Sequence, residues 1–509
     1  MPDKSEQKRE DGIKVQGERQ GDVFVRRKAR RVLRLHRSLG VPGLFSTAYG
    51  DVGSSIYYAL GVVAMSALGL TPPVLLISGI LFLFTGLTYA EGAASIPDSG
   101  GSGAFARRAF NDSISFFASW VLMMDYLVTI SISAFTAANY LGYFSPALKI
   151  WPHNSIAGIA IVLVLAVINI RGIRASSRLN TGLVIIDILT QLAIATLGVL
   201  IIINIPTLIH NIHWGIAPTT SQLLFGISIS MVAYTGIETV ANLGSETRNP
   251  SKNIPRAVIL VFITVIILYL FLSATALSAY PVHQDASGQW VTTLTQKYLQ
   301  DPIMGLVYAM PVAVQPVLGI WVSILAVTIL IVATNAGLIG ASRLAYFMGK
   351  RQQLPAALSA ISAKRHIPQN AILIFAAIAC VLVGIGQVSI LADLYAFGAM
   401  LAYTSAHASI IALRIKEPNL PRPFKIPLNI RIRKREIPIT AVIGGLGTGI
   451  TWIIVVYTHH LGRIVGLIWI AIGLLIYILY RRYLRKHGTS PPKTEDKSGS
   501  TDVSGIPPK

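Results

Sequence analysis

Cysteine is almost absent from this sequence of 509 residues, in which Cys380 is the only one. A disulfide within the chain is therefore excluded, and the redox environment does not shape the fold. The sequence also has no Walker motif, no cluster of metal ligands and no nucleophile paired with a base. These absences argue against direct use of ATP, against a metal or other cofactor, and against an enzyme.

Charged residues are scarce as well, at 13%, whereas 53% of the residues are hydrophobic. This composition is too apolar for a soluble protein of this length. The apolar residues form runs of about 20, the length needed to cross a hydrocarbon core about 30 Å thick. We predict an all-α membrane protein with twelve spans, at residues 43–70, 72–96, 113–144, 155–170, 182–205, 221–244, 256–280, 314–346, 370–387, 390–413, 438–457 and 464–481.

The net charge of +21 could indicate a nucleic-acid partner, but the distribution of the charges indicates a lipid bilayer instead. Lysine and arginine are concentrated in every second loop between the predicted spans. The other loops contain only Lys149, Lys297 and Arg463. Because basic loops stay on the cytoplasmic side, this alternation predicts a multi-pass protein of the cell membrane with both termini in the cytoplasm.

Four regions follow from these spans. Residues 1–42 form a basic cytoplasmic segment that we expect to lie against anionic headgroups. Residues 43–413 form a ten-helix core, and residues 414–486 form a basic cytoplasmic loop with two further helices. Residues 487–509 are rich in Ser, Thr, Pro and Lys, which predicts a disordered tail.

Two of the predicted spans, the first and the sixth, are interrupted by glycine and a carboxylate. The first contains Gly50-Asp51-Val52-Gly53, and the sixth contains Thr235-Gly236-Ile237-Glu238. An ionisable group at mid-membrane costs about 3 kcal/mol or more, and unwound backbone is tolerated there only around a cavity. An offset of five spans predicts an inverted five-helix repeat with discontinuous helices meeting at the midplane, as in secondary transporters that work by alternating access.

Two loops carry a resemblance to a known family. Residues 97–110 read PDSGGSGAFARRAF, and residues 244–257 read GSETRNPSKNIPRA. The first is similar to the proline, double-glycine and aromatic–Ala–Arg loop of the amino acid–polyamine–organocation (APC) superfamily. The second is similar to its E-x-x-N-P-x-x-x-I-P-R-A loop. The resemblance implies the LeuT-like fold of this superfamily and transport of amino acids or polyamines.

The residues of the interrupted spans resemble a narrower group, the potassium importers KUP and KimA. The segment Gly50-Asp51-Val52-Gly53-Ser54-Ser55 is similar to the KUP motif G-D-I-G-T-S. The spacing of the other polar residues in these spans is similar to that in KimA. This resemblance implies a cation site that is formed by Asp51, Gly53, Ser54, Ser55, Tyr58, Asp125, Thr129, Ser133, Thr235, Glu238 and Tyr395.

Physical chemistry gives partial support to such a site. Asp125, Thr129 and Ser133 are spaced by four residues, so they share one face of the third helix. Their oxygens suit a hard cation, although the two hydroxyls could equally serve hydrogen bonds between packed helices. Asp51 could likewise be an N-cap of the half-helix that follows it.

Proton coupling is expected from the same acids. Asp51, Asp125 and Glu238 have no intramembrane Lys or Arg to neutralise them, so we expect at least one to hold a proton. Glu238, on the helix break, is the preferred carrier, with Asp125 as another. Asp187 is a further candidate. Related permeases carry a lysine at this place, and the reversed charge here leaves room for a bound cation or a second protonatable group. A salt bridge or hydrogen bond near the inner membrane face is the alternative role of Asp187.

The sequence thus predicts a permease with proton-coupled uptake of a cation, with K⁺ as the leading substrate. The alternative is an amino acid or polyamine permease on the same fold. A channel and a membrane-bound sensor are less consistent with two broken helices in an inverted repeat. A homodimer remains open.

Overall fold

The computed structural model describes residues 39–96, 98, 100–172, 177–244, 247–362, 367–432 and 435–487. Most of the predicted basic segment at 1–42 and nearly all of the predicted tail at 487–509 lie outside the described residues. Within the described residues the chain is helical apart from two short antiparallel hairpins, β1 (Val282–Gln284) with β2 (Trp290–Thr292) and β3 (Asn429–Ile432) with β4 (Arg435–Pro438).

The helices are of two kinds, long apolar segments and short connecting helices. In chain order they are α1 (Val41–Val52), α2 (Ile56–Ala67), α3 (Thr71–Ser95), α4 (Gly101–Ala109), α5 (Asp112–Leu141), α6 (His153–Arg171), α7 (Ser177–Leu197), α8 (Ile205–His210), α9 (Thr220–Ser230), α10 (Glu238–Asn242), α11 (Pro250–Ala279), α12 (Thr293–Lys297), α13 (Pro302–Tyr308), α14 (Gln315–Lys350), α15 (Ala356–Ser359), α16 (Gln369–Gly384), α17 (Val388–Lys416), α18 (Ile439–Thr458) and α19 (His460–Lys486).

Ten helical segments of the described residues are long and apolar enough to cross a membrane. The first of them, Val41–Ser95, is 55 residues long and covers the first two predicted spans. It bends at Leu68, whose φ of 47° ends α2, and α3 starts just beyond with a proline in its first turn. The ninth predicted span corresponds to α16, which at 16 residues is shorter than the other segments.

Helix α5 lies at the centre of the bundle. Its most apolar 18-residue window is 100% buried, against 22% for α19 at the periphery. It packs against α4, α14 and α17. Its start is fixed by Asn111, whose side chain accepts a hydrogen bond from the backbone N–H of Ile114 at 2.9 Å. Polar side chains along α5 are therefore held inside protein rather than against lipid.

The two predicted helix breaks differ in structure. Between α1 and α2 the backbone keeps helical angles and tightens into one 3₁₀ turn, Gly53–Ser55. The prediction of unwound backbone there is wrong, because glycine also adopts the helical angles seen at Gly53. Between α9 and α10 the chain does leave the helix. There Thr235 is extended and Gly236 has a φ of 115°.

Candidate functional site

Three carboxyl groups meet at the centre of the bundle. Asp51 lies at the end of α1, Asp125 in the middle of α5 and Glu238 at the start of α10, directly after the second break. Their side chains are 2%, 0% and 0% exposed. Asp125 and Glu238 are close enough to share a hydrogen bond when one of them holds a proton, and Asp51 interacts electrostatically with both. We call these three residues the acid cluster.

Asp51 connects the two interrupted segments. Its Oδ2 accepts a hydrogen bond from the hydroxyl of Thr239 on α10 at 2.7 Å, and its Oδ1 has no partner. Its side chain does not cap α2, so the capping alternative is wrong. Gly236 lies directly against it, since a Cβ at that position would be 2.7 Å from the Asp51 Cγ. The positive φ and this contact both require glycine.

Glu238 is held by the break itself. Its Oε2 accepts hydrogen bonds from the backbone N–H of Gly236 at 3.2 Å and from the hydroxyl of Tyr403 on α17 at 3.0 Å. Its Oε1 has no hydrogen-bond partner. A rotation of the short α10 would therefore move this carboxyl group relative to α5 and α17.

The polar stripe predicted on α5 is present and buried. Thr129 donates to the Asp125 carbonyl at 3.0 Å, and its hydroxyl lies 2.6 Å from that of Tyr395 on α17. Neither carboxylate oxygen of Asp125 has a hydrogen-bond partner, and neither does the hydroxyl of Ser133. Thr129 thus links two helices, as the packing alternative expects, whereas Ser133 does not.

The other predicted site residues line the two breaks. Ser54 donates to the Asp51 carbonyl at 2.9 Å, and the hydroxyls of Ser55 and Tyr58 lie 2.8 Å apart. Thr235 donates to the carbonyl of Val232 at 2.9 Å, at the end of the 3₁₀ turn that precedes the second break. Gly53 lies against the Tyr49 ring, which leaves no room for a Cβ at this position.

The acid cluster is short of positive charge and of donors. No ion pair found among the described residues includes any of its three members. Asp51 Oδ1, both oxygens of Asp125 and Glu238 Oε1 are all buried without a partner. A buried charge that is neither paired nor hydrogen-bonded is costly. Such a cluster can bind a cation, protons, or both.

Asp187 lies outside this cluster, on α7. Its Oδ1 accepts a hydrogen bond from Tyr57 at 2.7 Å, and its Oδ2 accepts from Tyr49 at 3.1 Å and from Gln191 at 2.8 Å. It is fully buried. The alternative of a hydrogen-bonded carboxyl fits this geometry, while a part in proton coupling stays a prediction.

Sequence reasoning missed two partners of the acid cluster, Thr239 and Tyr403. Thr239 directly follows Glu238, so it adjoins the motif of the sixth span. Tyr403 comes eight residues after Tyr395, which places both hydroxyls on one face of α17. That spacing was a usable signal.

The sequence comparisons agree with this architecture. A sequence model of the family described as amino acid permease matches residues 39–455 of the chain. The branched-chain amino acid permease BcaP of Bacillus subtilis (strain 168) is 26% identical over 467 residues, covering 88% of this chain and 94% of that protein. The methylthioribose transporter of the same organism is 25% identical, with coverage of 85% and 90%. The low-affinity putrescine importer PlaP of Escherichia coli (strain K12) is 24% identical, with coverage of 83% and 88%.

These relatives are transporters and not enzymes. None of the three is a potassium importer by name, so they give no support to the finer resemblance to KUP and KimA. With ten long apolar helical segments among its described residues, the chain is a multi-pass membrane protein. It belongs to the amino acid permease family, within the APC superfamily that its two loop motifs resemble.

Proposed function

We propose that this permease takes up a substrate with a cationic amino group, such as a polyamine or a basic amino acid, together with protons. The observation that carries the proposal is the acid cluster, in which four buried carboxyl oxygens accept no hydrogen bond from an N–H or hydroxyl group of the described residues. An ammonium group would supply both the charge and the hydrogen bonds that these oxygens lack.

The relatives support the substrate class. PlaP is named for putrescine, a diamine, and BcaP for branched-chain amino acids, which carry one ammonium group each. A neutral or zwitterionic substrate needs fewer carboxylates than this cluster holds. The excess of acid therefore favours a substrate with net positive charge.

The proposed architecture has twelve spans, in which residues 43–413 form two inverted repeats of five. The bend at Leu68 divides Val41–Ser95 into two spans, and α16 contributes one more. The 3₁₀ turn before α2 and the break before α10 then occupy corresponding places in the two repeats. Alternating access would rock one group of helices about the acid cluster, with both termini in the cytoplasm.

Glu238 is the proposed proton carrier. It stands beside Asp125, and only one of two adjacent buried carboxyl groups is readily ionised. It is also attached to the break through the N–H of Gly236, so a movement of α10 would carry it with the proton. Asp51 and Asp125 then remain available to the substrate cation.

Potassium is the second candidate. Thr129 and Ser133 lie on the same helix as Asp125, and the hydroxyl of Tyr395 contacts that of Thr129. Such an array of oxygens can replace the water around a monovalent cation. The ammonium proposal needs donors on the substrate, whereas potassium needs only these oxygens. Uptake measurements separate the two.

The test is uptake into proteoliposomes under an inward proton gradient, with labelled putrescine, arginine, leucine and rubidium in parallel. The proposal predicts saturable uptake of putrescine or arginine that is lost when a protonophore collapses the gradient. Rubidium uptake without uptake of either amine would establish the second candidate instead. Uptake of leucine alone would contradict both.

A Glu238→Gln variant tests the proton carrier. It should lose proton-driven accumulation yet still exchange internal for external substrate, because the cation site keeps Asp51 and Asp125. Normal proton-driven accumulation in this variant would contradict the assignment.

A further inference from the structure

A second charged site lies far along the chain from the acid cluster, in the connection between α17 and α18. A cavity of about 490 Å³ opens there, and its charged lining consists of Arg414, Arg422, Lys425, Arg431 and Glu436. Arg414 is in the last turn of α17, and Glu436 comes three residues before α18 begins. Because both helices are candidate membrane spans, their adjoining ends place the cavity at the depth of the lipid headgroups.

The floor of this cavity is fixed. Arg414 donates two hydrogen bonds of 2.7 Å each to the carboxylate of Glu91, and Arg422 lies 3.5 Å from the same carboxylate. The side chains of Arg414 and Arg422 are 2% and 4% exposed. These two arginines are therefore a rigid positive base and not movable ligands.

The mouth of the cavity is different, because three cations share one carboxylate. Glu436 accepts from Lys425 at 3.1 Å, from Arg431 at 3.2 Å and from Arg414 at 3.2 Å. The hydrogen bonds from Lys425 and Arg431 lower the pKa of Glu436, so this group stays ionised at neutral pH. Four cations then face two carboxylates, and Lys425 and Arg431 are exposed enough to turn to a further anion.

The β3–β4 hairpin separates this charged side from an apolar side. Arg431 pairs with Glu436 across the hairpin, and Ile430 pairs with Ile437. Directly opposed residues share a face, so Arg431 and Glu436 face the cavity. Ile430, Ile432 and Ile437 lie on the other face, where Arg435 is paired with Ile432 at the tip of the hairpin. Ile430 and Ile432 are 51% and 53% exposed.

This apolar face has a natural continuation. Leu428, before β3, is 67% exposed, and α18 exposes Leu446 and Ile450 along its length. In a membrane-spanning chain, such side chains on α18 face lipid. The hairpin that leads into α18 thus presents apolar residues at the membrane surface, next to a positively charged cavity.

We propose that this cavity binds the phosphate group of an anionic lipid headgroup, with the apolar face of the hairpin seated among the acyl chains. Lys425 and Arg431 turn from Glu436 to the phosphate, and Arg414 and Arg422 supply the fixed positive field beneath it. The charge selects an anionic over a zwitterionic lipid. The isoleucines select a lipid over a soluble phosphate.

The test compares the full-length protein in nanodiscs of phosphatidylcholine with nanodiscs that also contain phosphatidylglycerol. A ligand that binds only the folded protein raises its melting temperature. We expect phosphatidylglycerol to raise the melting temperature of the wild type, and a Lys425→Ala/Arg431→Ala variant to lose this rise. In phosphatidylcholine alone this variant should melt as the wild type does, because both side chains are exposed.

The matched control is Arg482→Ala/Arg485→Ala, which removes two exposed basic residues near the end of α19. It should keep the rise. An Ile430→Ser/Ile432→Ser variant should lose part of it, since only the apolar contact is removed. An equal rise in the cavity variant would overturn the proposal. So would a rise of the same size when inorganic phosphate is added to the wild type in phosphatidylcholine nanodiscs, because the site would then take soluble phosphate.

Discussion

The protein buries acid in two contrasting ways. Glu91, on α3, is surrounded by donors, with two hydrogen bonds from Arg414, a third from the backbone N–H of Ile426 at 2.8 Å, and Arg422 nearby. The acid cluster holds three carboxyl groups with no cation among their partners. The two regions are equally buried, so burial alone does not distinguish them.

This contrast distinguishes a buried charge that stabilises the fold from buried charges that can bind a ligand. A bidentate arginine–carboxylate pair satisfies both oxygens of the carboxylate within the chain and leaves that carboxylate no oxygen for a ligand. A buried cluster whose oxygens lack hydrogen-bond partners carries a free-energy penalty, and a bound ligand or a proton relieves it. Substitutions should therefore unfold the protein at the first region and disable it at the second.

The largest effect on stability is expected from Arg414→Met. It leaves Glu91 buried with only the Ile426 N–H and Arg422 at 3.5 Å, and breaking a buried ion pair in this way costs about 3–5 kcal/mol. Thermal unfolding of the purified protein would measure the loss. Arg108→Ala is the control, because its pair with Glu417 is exposed and worth about 0–1 kcal/mol. Similar melting temperatures for the two variants would show that the Glu91 pair does not hold the fold.

Asp125→Asn should have the opposite profile. Uptake and affinity for the cationic substrate should fall about 10–100-fold, the loss of a hydrogen bond to a charged group worth about 1.5–3 kcal/mol. The melting temperature should change little, because the carboxyl accepts from no N–H or hydroxyl group and an asparagine amide can still donate a hydrogen bond to Glu238. Asp112→Asn, at the partly exposed start of the same helix, removes only a surface ion pair with Arg107 and should leave uptake unchanged. A drop in melting temperature as large as that of Arg414→Met would remove the contrast.

Gly236→Ala tests the break itself. The new Cβ would strain a positive φ and press on Asp51, so we expect a loss of about 1–3 kcal/mol in stability together with loss of uptake. Gly215→Ala is the control, because Gly215 also has a positive φ, of 74°, but a Cβ there would have no neighbouring atom within 4 Å. It should keep uptake. Equal uptake by the two variants would mean that contact with Asp51 is unimportant.

The smallest effect is expected from Ser133→Ala. Its hydroxyl is buried without a partner, so its removal should raise stability slightly, by about 1 kcal/mol or less. On the same helix, Ser131 donates to the Leu127 carbonyl at 2.7 Å, and Ser131→Ala should lower stability by about 1 kcal/mol. Chemical denaturation of both variants measures the difference, and a reversed order would contradict the assignment of Ser133 to the site.

The sequence predicted the helices and the acids of the cluster for a simple physical reason. Runs of about 20 apolar residues have the length and hydrophobicity of membrane-spanning helices. A carboxylate such as Asp125 within such a run costs enough free energy to indicate a functional site. The shape of the first break was not predictable, because Gly53 can be helical or not with similar ease. The second break was predictable, because Thr235, Gly236 and Glu238 all disfavour a continuous apolar helix.

Contacts across the chain were the main omission. Arg414 and Glu91 are 323 positions apart, and Thr239 meets Asp51 across 188 positions. No local pattern specifies such pairs. The β3–β4 hairpin was missed because four-residue strands inside a basic loop carry little periodicity.

The most direct test is equilibrium binding of labelled putrescine, arginine and rubidium to the purified protein, measured for the wild type, Asp125→Asn and Asp112→Asn beside their melting temperatures. We expect the wild type and Asp112→Asn to bind one of the two amines, and Asp125→Asn to be fully folded yet to bind about 10–100-fold more weakly. Wild-type affinity for that amine in folded Asp125→Asn would contradict the claim that the acid cluster is the substrate site.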